Sequence, residues 1–126
     1  MRYAILATLL CLSAFGMSAP VAAEEKTLAV TSVAITGPAS FNNAGSIITV
    51  TGTCDAAGYV YYIKFTRLVS GSPYMWTTKG PYYSAYNNFS KNVGLSSLNL
   101  QDSDELWIEV TVDYGDAYDD VVIPVD

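Results

Sequence analysis

The sequence predicts an all-β fold, an antiparallel β-sandwich of about seven strands, and three observations lead there. Apolar residues almost never recur at helical spacing. Several short segments instead alternate apolar with polar residues, as half-buried strands do. Turn residues separate those segments at intervals of about 8 to 12 positions, which is the spacing of a sandwich.

The first strand is expected from Lys26 to Thr36, where Gly37-Pro38 stops the ladder. The second runs from Ser46 to Cys54, with Ile48, Val50 and Cys54 on one face and Thr49, Thr51 and Thr53 on the other, so Cys54 should face the core. The third, Tyr59 to Leu68, sets Tyr61, Ile63 and Phe65 against Tyr62, Lys64 and Thr66, and the charged face is the wet one. A short fourth strand is expected from Tyr74 to Thr78, because Pro73, Gly80 and Pro81 oppose a long regular one. The fifth spans about Asn88 to Leu95, and Ser96 to Glu105 makes a polar corner anchored by Leu98 and Leu100. The sixth is the clearest: in ELWIEVTVD, Leu106, Ile108, Val110 and Val112 point one way and Trp107, Glu109, Thr111 and Asp113 the other. The turn DYGDAYDD leads to a seventh strand, Val121 to Val125.

Ahead of these elements stands MRYAILATLLCLSAFGMSAPVAAEEK: Arg2, an apolar run from Ala4 to Met17, then small residues ending at Ala23. That is the pattern of a secretory signal peptide, residues 1–23, and the run falls short of the roughly 20 residues a membrane span needs. Cys11 lies inside the apolar run without the small residue that precedes a lipidated cysteine, so it is read as part of the signal. Residues 24–126 then form one domain, secreted or held at the cell surface. Six basic residues less Arg2 leave five against twelve acidic ones, a net charge of −7. Such a surface repels phosphate backbones and anionic lipid, which argues against nucleic acid and against membrane insertion of the mature chain. Cys54 is its single cysteine, so no internal disulfide forms and the fold stands on its apolar core.

Catalysis fails on inventory. The chain has no histidine, so a serine or cysteine nucleophile lacks its usual base, and its carboxylates fall mostly in turns. No cofactor is expected, with calcium as the one candidate. Asp113, Asp116 and Asp119, followed by Asp120, supply hard oxygen ligands, as do Asp102, Asp104 and Glu105, but neither run is an EF-hand loop. Acids in turns more often cap hydrogen bonds and maintain solubility. Asn88-Phe89-Ser90 matches a glycosylation acceptor, which is read as a chance match.

The segments ITVTGTCDAAGYVYYIKF, NNFSKNVGLSSLNLQDSDELWIEVTVDYGD and DDVVIPVD resemble the bacterial immunoglobulin-like domains of surface adhesins and other exported proteins. Val50 and Gly52 match that family's V-x-G strand, Phe89-Ser90 its later phenylalanine-serine strand, and Asp113, Gly115 and Asp116 its aspartate-glycine turn. The resemblance implies a sandwich, a role in surface contacts and, in domains of this kind, calcium at the ends. Two features depart from it: the family occurs in tandem whereas this chain holds one copy, and residues 73 to 86 are unusually rich in tyrosine.

Those rings carry the functional expectation. In an immunoglobulin-like order the third, sixth and seventh strands share a sheet, which sets Tyr62 and Trp107 close together on its outward face near Lys64 and Glu109. With Trp76, Tyr82, Tyr83 and Tyr86 they form a candidate aromatic surface, unless a loop or residues 73–86 fold over it. The leading reading is a non-enzymatic structural or adhesive protein that contacts a protein partner or further copies of itself, with exchange of the first strand as one route. The alternative is a carbohydrate-binding module that stacks sugars on Tyr62, Trp76 and Trp107.

Overall fold

A computed structural model describes residues 29–126; the expected signal peptide and the start of the expected first strand lie outside them. The chain forms seven strands: β1 Val33–Gly37, β2 Ile47–Cys54, β3 Tyr59–Val69, β4 Ser72–Ser84, β5 Asn88–Gly94, β6 Glu105–Val112 and β7 Ala117–Pro124. They make two antiparallel sheets, β1-β2-β5 and β4-β3-β6-β7, packed as a sandwich. The third, sixth and seventh strands are neighbours, as expected.

Alternation builds the core. Leu106, Ile108, Val110 and Val112 of β6 are fully buried, and β3 adds Tyr59, Tyr61, Ile63 and Phe65 on the same side. Ile48, Val50 and Cys54 of β2 and Phe89 and Val93 of β5 face them from the other sheet. Each such aliphatic contributes about 1.5–3 kcal/mol on burial. Cys54 points inward as its position predicts, and burial pushes its thiol above the ordinary value. Leu98 and Leu100 plug the corner, and Asp104 there accepts from Arg67 Nε at 2.7 Å and from the Gln101 N–H at 2.8 Å.

Three elements differ from expectation. The fourth strand is 13 residues long rather than five, Ser72–Ser84, and joins β3 through the tight turn Ser70-Gly71, both at positive φ as a type I′ hairpin requires. It tolerates Pro73 and Pro81 because it is an edge strand, where a missing N–H faces no neighbour. Gly80-Pro81 is absorbed by a bulge between the Tyr61 and Ile63 pairings; Gly80 sits at φ 121°, and a Cβ there would lie 3.0 Å from the Tyr61 carbonyl oxygen. The seventh strand starts at Ala117, four residues earlier than expected, since the turn needs only Asp113–Gly115.

The first strand is shorter than expected, five residues from Val33. The chain before it is held by side chains instead. Asp55 accepts from the Thr31 hydroxyl, from the Thr31 N–H at 2.9 Å and from the Ser32 N–H at 3.1 Å, while Val30 is buried. Beyond β1 the chain crosses to the other sheet, where Phe41 bridges Val125 in parallel and exchanges backbone hydrogen bonds with Pro124 and Asp126.

Gly52 lies where β1, β2 and β5 meet: a Cβ there would overlap the Phe89 ring and stand 2.7 Å from the Ala34 carbonyl oxygen. Gly52→Ala is therefore expected to cost about 1–3 kcal/mol in urea unfolding, the size of a core overpacking. Gly94→Ala, whose Cβ meets nothing within 4 Å, should change it by less than about 0.5 kcal/mol.

The Asp55 carboxyl is held below its ordinary value of 3.8, first by the Thr31 hydroxyl and then by the backbone N–H groups. A depressed carboxyl adds stability above the unfolded value, and that stability is lost as pH falls through the folded one. The melting-temperature lead of wild type over Asp55→Ala should thus be full at neutral pH and vanish on acidification below about pH 4; a lead that persists in acid would contradict this.

Candidate binding face

The outward residues of the four-stranded sheet fall into rows, because directly paired residues on neighbouring strands project to the same side. Trp76, Thr66, Trp107 and Val122 form one row across β4, β3, β6 and β7. Thr78, Lys64, Glu109 and Asp120 form the next, and Tyr62, Thr111 and Tyr118 the third. A charged row is thus flanked on both sides by rows bearing rings.

Among the described residues nothing folds over this face. Residues 73–86 lie beside it as β4 rather than across it, and Trp76 is 65% exposed, Tyr118 51% and Tyr114 77%. Trp107 and Tyr62 are half-buried. Tyr62 meets Tyr114 edge-on with centroids 6.2 Å apart, and Lys64 Nζ lies 5.4 Å from the centre of the Trp76 ring.

Two hydrogen bonds tie rings to carboxylates. Trp107 Nε1 donates to Asp120 Oδ2 at 2.9 Å, and Tyr118 Oη donates to Glu109 Oε2 at 2.7 Å. Loss of water around the Tyr118 hydroxyl, then its bond to Glu109, raise the phenol above its ordinary value. The other Glu109 oxygen, Oε1, is buried with no hydrogen-bond partner among the described residues. So is Thr66 Oγ1, on a residue only 3% exposed between Trp76 and Trp107. A buried acceptor left without a donor costs about 1–3 kcal/mol. Glu109 and Asp120 are also direct cross-strand partners, an unfavourable placement for like charges.

Of the six sequence-predicted aromatic residues, Tyr62, Trp76, Trp107 and Tyr83 share this face, the last at its rim opposite Val60. Tyr82 does not: it turns inward beyond the bulge, packs on Tyr61 at 5.5 Å and carries Lys91 Nζ 4.6 Å from its ring centre, so it closes the side of the sandwich. Tyr86 lies in the β4–β5 turn beside Ser84, whose Oγ accepts its N–H at 3.2 Å. Reading the seventh strand from Val121 misses Tyr118; continuing the alternation back to Ala117 places Tyr118, Asp120 and Val122 beside Trp107 and Glu109.

The three candidate calcium ligands are not brought together. Asp113 Oδ1 accepts from the Val60 N–H at 3.2 Å, Asp119 Oδ2 from the Ile35 N–H at 2.8 Å, and Asp116 is exposed. Among the described residues no group of three or more histidine, cysteine or acidic side chains is arranged to hold a metal ion, and no helix is long and apolar enough to cross a membrane.

No protein-family model, curated protein or solved structure matches the chain.

Proposed function

We propose that the chain is a secreted or surface-held, non-enzymatic structural or adhesive protein that works through protein contacts made by the outer face of the four-stranded sheet. The open aromatic rows on that face support this reading. Rings that combine a flat apolar body with a polar tip are the commonest anchors of protein interfaces, and an exposed patch of them marks a contact surface. A self-assembling subunit is one form of it, and β4 offers the unpaired edge that assembly by strand pairing uses.

A second reading is a carbohydrate-binding module. Trp76 and Trp107 stand in one row two strands apart, ~10 Å between backbones, the span of a short sugar chain laid across the sheet.

The readings separate by site-specific photocrosslinking in the cells that make the protein. A photoreactive residue replacing Tyr118 should yield discrete protein adducts, whereas one replacing Thr49 on the opposite sheet should yield none; adducts at multiples of the protein's own mass identify a second copy. Absence of adducts at Tyr118 counts against protein contact. The glycan reading expects retention on an insoluble polysaccharide that Trp107→Ala abolishes with the melting temperature nearly unchanged, and wild-type protein that binds nothing on a broad glycan array removes it.

A further inference from the structure

We infer that Glu109 and Asp120, with the rings on either side, form a seat for a cationic side chain, lysine or arginine, borne by a basic segment of a protein partner. This rests on the protein-contact reading above and names what that contact recognises.

Three observations converge. First, two buried polar atoms on this face have no partner among the described residues: Glu109 Oε1, a carboxylate oxygen that only accepts, and the Thr66 hydroxyl, which can accept or donate; Thr66 is the diagonal neighbour of Glu109 across β3 and β6. Ammonium and guanidinium groups bring three and five donors and no acceptor, so they suit a pair of carboxylates where an anionic group does not. Second, the charge is complementary. Among the described residues Glu105, Glu109 and Asp120 face outward against one cation, Lys64, and the protein as a whole carries −6. The direct Glu109–Asp120 opposition, unfavourable by itself, becomes favourable once a cation lies between the carboxylates.

Third, the aromatic surroundings fit. Trp107 and Tyr118 each give their own donor to one carboxylate oxygen, which orients Asp120 and Glu109 and leaves ring surface beside them for a cation. Lys64 Nζ lies 5.4 Å from the Trp76 ring centre instead of pairing with Glu109 directly opposite, which leaves the Glu109 carboxylate uncommitted to a cation of the described domain. Among the described residues the only ion pair is Arg67–Asp104.

The test is a fluorescence titration of the purified protein with short oligo-arginine and oligo-lysine peptides, with oligo-glutamate as control. A Trp76→Phe background leaves Trp107 as the reporter within the described domain. Both cationic peptides should perturb Trp107 emission and weaken with added salt. Glu109→Gln and Asp120→Asn should each raise Kd roughly tenfold, the size of one charge-assisted hydrogen bond. Asp102→Asn, the same charge change away from the face, should leave it within about twofold. Lys64→Met should tighten binding by removing the like charge. Equal weakening by Asp102→Asn and Glu109→Gln would reduce the effect to net charge and overturn the inference, as would no binding at low ionic strength or weaker binding in Lys64→Met; circular dichroism confirms that each variant folds. Tyr118 crosslinks to protein without cation selectivity would sink this inference alone, whereas failure of both experiments would sink the protein-contact reading with it.

Discussion

The register between β3 and β6 is the constraint on which the rest depends. Ile63 pairs with Val110 and Phe65 with Ile108, and the same ladder pairs Lys64 with Glu109 and Thr66 with Trp107. Because side chains alternate with a period of two, a slip of one residue would turn four fully buried aliphatics of β6 to water and drive Trp107 and Glu109 into the core. The core thus enforces the outer face. With no internal disulfide among the described residues, that apolar side is what holds the two sheets together, and the geometry of the aromatic rows follows from it.

Much of this was legible in the sequence because β3 and β6 are central strands, where one face is dry and the pattern has no freedom. ELWIEVTVD states its two faces outright, whereas the adjacency of the third, sixth and seventh strands is expected from an immunoglobulin-like strand order and not from the alternation. Edge strands are less explicit. β4 buries little of either face, so its residues alternate weakly, and the rule that proline and glycine interrupt strands holds for ladders paired on both sides. Pro73 and Pro81 lie on a strand paired on one side, and Gly80 makes a bulge; the rule therefore points to a break where there is a bend. That bulge also explains Tyr82. It changes which β4 side chains face inward, sending Tyr82 to the wall of the sandwich while Tyr83 stays on the rim.

The acids divide in a way that composition does not reveal. Asp55, Asp113 and Asp119 accept backbone N–H groups and act as joints between segments far apart in sequence, Asp119 linking β7 to β1 and Asp113 anchoring the start of β3. Their hydrogen-bonding capacity is directed at the chain itself, so a cluster that looks like a set of cation ligands in sequence is dispersed in space. Asp104 is similarly committed, to Arg67 and Gln101.

Glu109 and Asp120 differ from all of these. Neither accepts from the backbone; each is held by an aromatic donor, and each faces the other across a strand pair where opposite signs would be more stable. Two buried polar atoms without a partner among the described residues, two like charges in register and several exposed rings fall within three adjacent rows of one sheet. Such departures scattered over a surface would be incidental. Concentrated on a face whose register the core fixes, they are the features on which the proposed protein contact rests, because a rigid, pre-oriented set of groups loses little entropy when a partner arrives.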